Sequence, residues 1–299
     1  MTRMLIIGGT GETGSWFARY FRKRGFDVSV WGPSGKSDVA AALGVRFASD
    51  LMQEVEQSDV VLVSVPIERT VEVIRDVAPH MRSGSLLMDV TSLKAEPMKA
   101  MRTYAPEGVE IIGTHPMFGP TMPSLRGQTI ILTPAWRGRW LSAMRSLFEE
   151  DGAHIEILDA DEHDEIMAVV QALTHFAYIS IGATLRMLNF DVERSRRFMS
   201  PVYEIMIDFV GRILDQSPEL YASIQMNPKA LAVRRTFIAE CMRLSERAEL
   251  GDLVGFKQIM AQAAEHFGDT HAALERSDRM INRRICEEKR VNASLMSDD

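Results

Sequence analysis

Apolar residues fall along this chain in two rhythms, and the change between them divides it. Up to about residue 159 they come in short unbroken runs, such as Met4-Leu-Ile-Ile7, Val60-Val-Leu-Val63 and Leu86-Leu-Met88. Runs of this length, bounded by glycine and proline, read as strands buried on both faces. Between them, over 12–24, 68–81 and 139–150, apolar residues recur every three or four positions, which predicts amphipathic helices. The alternation predicts strands over 4–8, 25–31, 59–66, 85–90 and 109–112, with closing strands over 128–134 and 154–158, in a parallel, doubly wound sheet. Beyond 159 strand signals nearly vanish. A long helical pattern opens at Asp161 and reaches about Leu188, and further helices are expected over 192–198, 201–215, 218–226, 228–250, 252–266 and 269–290. The fold class expected is α/β: a sheet domain over 1–159, then an all-helical domain over 160–290 and a disordered tail over 291–299.

The first strand leads into Gly9-Thr10-Gly11-Glu12-Thr13-Gly14, a G-x-G-x-x-G that opens a helix and returns to a strand. In that context the motif reads as a Rossmann-type dinucleotide turn, with phosphates at the helix N-terminus. An NAD-preferring site usually carries Asp or Glu at the end of the second strand. Here the tip is Trp31-Gly32-Pro33, followed by Ser34 and Lys36, which could hold a 2′-phosphate. This favours NADP over NAD. Lys36 as a solvated charge on the next helix is the plainer alternative. Val65 and Pro66 fall at the end of another strand, on the same cofactor edge.

The stretch Gly113-Thr-His115-Pro-Met-Phe-Gly-Pro120 has the composition of a rigid loop presenting one imidazole just past a strand. A neutral-pH proton acceptor at that edge suggests general-base chemistry; a buried histidine in a structural turn is the alternative. Ser92 and Lys94 follow the strand at 85–90 and could offer a hydroxyl and a cation to a ligand, though Ser92 also suits a helix N-cap. Arg212 lies in an apolar helical stretch, Asp208-Phe-Val-Gly-Arg-Ile-Leu214, and needs either a ligand carboxylate or a salt bridge. Glu162, His163 and Asp164 cluster, but acids suit a first helical turn and no ligand set is completed, so no metal is expected.

The net charge of -7 argues against a nucleic-acid or anionic-membrane partner. It leaves room for an anionic small molecule held by local arginines. Two cysteines without metal or redox spacing suit a reduced, cytoplasmic protein. No leader is visible before the first strand, and no apolar stretch reads as long enough to span a bilayer. So apolar a helical half suggests a homodimer.

Taken together, Gly9-x-Gly11-x-x-Gly14, Ser64-Val-Pro66, Thr91-Ser92-x-Lys94, His115-Pro-Met-Phe-Gly-Pro120, Gln171-Ala-Leu-Thr-His175, Ser200-Pro-x-Tyr203 and Gly211-Arg212 resemble the prephenate/arogenate dehydrogenase family of tyrosine biosynthesis, over roughly residues 4 to 275. The resemblance implies oxidative decarboxylation of prephenate with NAD(P), arogenate or an amino-substituted relative being the alternative substrate. It implies His115 as the base on the substrate 4-hydroxyl, Ser92 supporting that hydroxyl, Arg212 gripping a carboxylate, and His175 and Lys94 in the substrate pocket. The joint presence of His115, Ser92 and Arg212 argues against a catalytically silent nucleotide-binding regulator. A β-hydroxyacid dehydrogenase would need a lysine base on the helix over 161–188, which has none.

Overall fold

The computed structural model describes residues 1–295, with side chains to Arg284. Eight strands form one sheet: β1 (Arg3–Ile7), β2 (Asp27–Trp31), β3 (Arg46–Phe47), β4 (Val60–Val63), β5 (Leu86–Asp89), β6 (Glu110–Pro116), β7 (Thr129–Pro134) and β8 (His154–Ile157). Their order is β3-β2-β1-β4-β5-β6-β7-β8, parallel throughout except for the antiparallel β6–β7 pair. The chain winds outward to β3, then restarts beside β1 at β4, so the topological switch lies between β1 and β4, where doubly wound sheets bind ligands. The helices between the strands are α1 (Glu12–Lys23), α2 (Ser37–Leu43), α3 (Leu51–Gln57), α4 (Ile67–Val77), α5 (Ala95–Tyr104) and α6 (Arg139–Glu150).

Both sheet faces are covered, which is why the strands read as unbroken apolar runs. Met4, Ile6, Val28, Val30 and Leu62 pack with Phe17 and Phe21 of α1 and Phe148 of α6. The alternate residues Leu5, Ile7, Val61 and Val63 pack with Ile74 and Val77 of α4 and Met98 and Met101 of α5. The two-residue β3 escaped the sequence reading because it is too short to carry a pattern.

One expectation near the site is corrected. Residues 113–116 are not a loop: β6 runs on through them, with His115 opposite Ile131 and Pro116 opposite Ile130 of β7. Tertiary crowding explains the glycine. A Cβ on Gly113 would lie 2.1 Å from Thr133 Oγ1 and 2.8 Å from Met98 Sδ. Pro116 ends the strand, a position where a missing N–H is tolerated. The parallel partner β5 stops opposite Gly113, so His115 still lies beyond the carboxyl end of β5.

The helical region contains α7 (Ala160–Met167), a six-residue π-helical segment (Ala168–Leu173), α8 (Thr174–Met187), α9 (Val192–Ser195), α10 (Pro201–Leu214), α11 (Pro218–Gln225), α12 (Ala230–Glu249), α13 (Leu253–Phe267) and α14 (Thr270–Leu295). The last helix continues past 290, so 291–295 are helical backbone where a disordered tail is expected; 296–299 lie outside the described residues. Two compact units result: Met1–Phe176 with Gln216–Leu231, and Ala177–Asp215 with the chain from Ala232 onward. The expected boundary at 159/160 therefore falls inside the first unit. The reason is that α7 and α11 are tied into it. Asn227 Nδ2 donates to Asp164 O (2.8 Å), Lys229 Nζ pairs with Glu165 (2.9 Å) and Gln225 Nε2 donates to Ala172 O in the π segment (2.8 Å).

The continuous run Ala160–Met187 is, by length and composition, apolar enough to cross a membrane. That corrects the expectation that no stretch qualifies. Its opening turn, however, carries Asp161, Glu162, Asp164 and Glu165, and His163 and Asp164 are buried in the sheet unit's hydrogen-bond network. Such a start suits an aqueous helix docked on a domain better than a bilayer span.

Candidate active site

The glycine turn is shaped by close backbone approach. Gly8 has φ +81°, and a Cβ there would lie 2.1 Å from Ser64 O, so β1 and β4 leave the sheet almost in contact. At Gly14 a Cβ would meet Gly8 O at 2.3 Å, which holds α1 tight against the turn. Gly9 is hemmed in by Val30. At Gly11 the nearest atom to a Cβ would be 3.4 Å away, leaving open ground in front of it. Gly11 also caps α1 with no side-chain acceptor, so the first-turn amides face outward as an anion cradle. Gly8, with the positive φ, lies outside the motif that the sequence reading singled out. Ser34 and Lys36 are exposed beyond β2, and Val65 and Pro66 follow β4.

His115 is 3% exposed. Its Nδ1 lies 2.8 Å from His163 Nε2, and His163 Nδ1 lies 2.8 Å from Asp164 Oδ1. Asp164 also accepts backbone N–H bonds from Lys94 (2.8 Å) and Ala95 (3.0 Å), and so caps α5 from seventy residues away. Burial, with Lys94 adding repulsion, drives the His115 pKa well below its ordinary value, so the ring is neutral at pH 7. For Asp164 burial acts upward, but the hydrogen bonds from His163, Ala95 and Lys94 outweigh it and hold the carboxylate ionised. His163 and Asp164 are the residues that the sequence reading missed as part of this site. The available signal was a His-Asp pair on the helix that follows the last strand.

The structure corrects the reading of Lys94. It is fully buried, with Nζ paired to Asp89 Oδ2 and 3.2 Å from Thr91 Oγ1, so it is not presented to a ligand. Burial lowers its pKa, with Asp89 pulling the other way. Ser92 is partly buried and is not the cap of α5, because Asp164 takes that role. Its hydroxyl makes no hydrogen bond among the described residues.

His175 follows the π segment, its ring 4.6 Å from Tyr221 at 90° and its Nδ1 buried without a hydrogen-bond partner among the described residues. A π segment displaces side chains from the ordinary helical register and often marks a functional position. Burial lowers the His175 pKa to about 4. With the folded value below the unfolded one, this contribution to stability is complete above about pH 6.5. It is lost as pH falls toward 4, where the unfolded chain binds a proton that the folded ring refuses. Denaturant unfolding at pH 7 and pH 5 should show a smaller drop in His175→Gln than in the parent; equal drops would remove this assignment.

In the second unit, α10 starts at Ser200, whose hydroxyl accepts from Tyr203 N (3.3 Å), with Pro201 in the first turn. Arg212 is exposed, not buried as its apolar neighbours suggest, because Val210 and Ile213 take the inward positions. The carboxylates on α10 are engaged elsewhere: Glu204 and Asp208 pair with Arg284 at 3.1 and 2.8 Å. Arg212 forms no ion pair among the described residues.

The strand order and the glycine turn define a doubly wound dinucleotide-binding protein. The nucleotide-binding domain of prephenate dehydrogenase matches residues 17–157, and its dimerization domain matches 159–262. The chain belongs to the prephenate dehydrogenase family. It is 48% identical over 270 residues to a probable arogenate/prephenate dehydrogenase of Methanocaldococcus jannaschii, covering 88% of this chain but 60% of that protein. It is 30% identical to a 4-amino-4-deoxyprephenate dehydrogenase of Streptomyces pristinaespiralis, covering 92% of this chain and 94% of that one. The fold is shared with prephenate dehydrogenase of A. aeolicus, solved with hydroxyphenyl propionate and NAD+, at a TM-score of 0.71 and 20% identity over 88% of this chain and 96% of the other.

Proposed function

We propose that this protein is an NAD(P)-dependent dehydrogenase that converts prephenate to 4-hydroxyphenylpyruvate by oxidative decarboxylation. The observation that carries this is His115: a buried, neutral imidazole, anchored at Nδ1, beyond the end of β5 in a dinucleotide-binding sheet. Gly9, Thr10, Gly11, Glu12, Thr13 and Gly14 would hold the dinucleotide, with Val65 and Pro66 beside it. The crowding at Gly9 and Gly14 and the open ground before Gly11 fit that group. When bound, that group would supply the hydride acceptor for the ring carbon that bears the substrate hydroxyl. His115 takes the hydroxyl proton, so that oxygen becomes a carbonyl as the C–H electrons leave. Ser92 hydrogen-bonds the same oxygen. Loss of the ring carboxylate as carbon dioxide then sends the electrons of the broken C–C bond through the ring to that oxygen, which takes back the proton from His115, and the ring becomes aromatic. Arg212, exposed and without an ion pair among the described residues, offers a guanidinium to a substrate carboxylate, and His175 contributes to the substrate pocket.

The alternative substrate is arogenate or an amino-substituted prephenate. The M. jannaschii relative is named for both arogenate and prephenate, and the S. pristinaespiralis relative for the 4-amino-4-deoxy compound. Steady-state assays of the purified chain with all three substrates, each against NAD and NADP, decide among them. Absence of turnover with every pair would sink the proposal. Arg212→Gln should chiefly raise KM, by about tenfold, as expected for a lost charge-assisted contact made before the transition state; an unchanged KM would return Arg212 to a structural role.

NADP is favoured over NAD because the tip of β2 has no acid, while Ser34 and Lys36 stand exposed beyond it. Lys36→Ala should weaken NADP by about tenfold while leaving NAD within about twofold, on the scale of one charge-assisted phosphate contact. Fluorescence titration of both dinucleotides reads this, and equal losses would remove the 2′-phosphate argument. A homodimer through the helical region is supported by its exposed apolar residues. Among the described residues of the second unit only Ile207, Val210 and Ile213 count as buried hydrophobics, whereas Met187, Leu188, Phe198, Val254 and Phe267 are each more than 60% exposed.

A further inference from the structure

Two histidines and a carboxylate form a buried line behind the proposed base: His115 Nδ1 to His163 Nε2 (2.8 Å), and His163 Nδ1 to Asp164 Oδ1 (2.8 Å). With both rings neutral, hydrogen-bond chemistry fixes the direction of every proton in that line. An ionised carboxylate only accepts, and Asp164 is already accepting from two backbone N–H groups at the start of α5. His163 must therefore carry its proton on Nδ1 to bond Asp164. In a neutral ring that leaves Nε2 as a lone pair, which can only accept. The partner nitrogen, His115 Nδ1, must then be the donor and hold the proton of its own neutral ring. The one remaining nitrogen, His115 Nε2, is left unprotonated and makes no hydrogen bond to the described residues.

We propose that Asp164, acting through His163, sets the tautomer of His115, so that Nε2 is the atom that takes the substrate proton. This rests on the reading of His115 as the base. His163 and Asp164 are positioning residues in it; neither touches the reacting atoms. The proton step is closed: the substrate O–H bond breaks, the Nε2–H bond forms, and the imidazolium so made keeps its Nδ1–H bond to His163. The opposite tautomer would bring two lone pairs together between the rings and leave a proton on Nε2, where no further proton can be accepted. The arrangement also explains why Asp164 is braced from both ends. α5 supplies two N–H groups to its carboxylate, and Asn227 Nδ2 holds its main-chain carbonyl at 2.8 Å. A carboxylate so fixed can in turn fix a ring.

The decisive measurement needs no variant to be active. In the full chain labelled with 15N at histidine, the ring nitrogens report which one carries hydrogen, and the seven histidines are sorted by comparison with His115→Asn and His163→Leu spectra. Both His115 and His163 are expected as the Nδ1–H tautomer at pH 7. A His115 ring protonated at Nε2 overturns the proposal. Kinetics give an independent reading. His163→Leu removes the acceptor and should lower kcat on the order of 10²-fold with KM little changed, on the scale of a misoriented base. His163→Gln can accept from His115 through its amide oxygen and donate to Asp164 through its amide nitrogen, so it should recover most of that loss. A glutamine variant as slow as the leucine one, or a leucine variant as fast as the parent, overturns the proposal. An active His115→Asn enzyme would instead defeat the base reading and leave the tautomer result standing by itself.

Discussion

His115→Asn is expected to lower kcat by about 10²–10⁴-fold, the usual worth of a positioned general base. Asparagine is small enough to fit the space and can still donate to His163 Nε2, so the buried line behind it stays satisfied; what disappears is the nitrogen that accepts a proton. Dinucleotide affinity should stay within about twofold, because the glycine turn and His115 leave the sheet from different strands, β1 and β6. The pH profile adds a second check. Burial first, then Lys94 ahead of α5, depress the His115 pKa, while the nearby carboxylates Asp164 and Asp89 are engaged by their own donors. The competent, neutral form therefore persists below the ordinary histidine value of about 6.5. In the parent, log kcat/KM should run level through pH 6.5 and decline only in more acidic buffer. Turnover by His115→Asn within tenfold of the parent would end the general-base assignment.

How far the sequence could foresee this depends on what each residue's neighbours are. The sheet was legible because each strand is buried on both faces and so is apolar without interruption, as in Met4-Leu-Ile-Ile7 and Val60-Val-Leu-Val63. The turn was legible because Gly9 and Gly14 are crowded too closely to tolerate a side chain, while Gly11 between them faces open ground. Residues 113–116 were misjudged because glycine and proline speak for a loop locally, whereas crowding by Thr133 and Met98 selects glycine within a strand. The π segment over Ala168–Leu173 is invisible to a pattern of apolar spacing, since it adds backbone turn without altering composition. Charged residues were hardest. A first-turn acid suits any helix dipole, so nothing in Glu162-His163-Asp164 reveals that Asp164 caps a different helix. Arg212 looked buried because its neighbours are apolar, but much of that apolar surface is itself exposed, as at Phe209 (43%) and Leu214 (57%).

Lys94→Met should cost about 3–5 kcal/mol of stability, the range for breaking a buried ion pair from one side. Methionine matches the shape of the lysine stem but leaves the Asp89 carboxylate buried, with only Thr91 N (3.0 Å) and Thr91 Oγ1 (2.5 Å) to meet it. Asp89 Oδ1 already lacks a donor among the described residues, so they offer no spare hydrogen bond with which to compensate. The double variant Asp89→Asn/Lys94→Met removes both charges, and it should be closer to the parent than Lys94→Met is, because the large term is the stranded charge rather than the lost attraction. Urea unfolding with unchanged slope reads the difference as a shift in midpoint. The pair also lies where β5 ends and α5 begins, next to Ser92 and to the backbone N–H of Lys94 that Asp164 accepts. Loosening it should therefore lower kcat in the single variant as well as stability, and the double variant should regain both together. If Lys94→Met unfolds like the parent while its KM for the substrate rises instead, the lysine meets a ligand after all, and its burial against Asp89 does not describe the working enzyme.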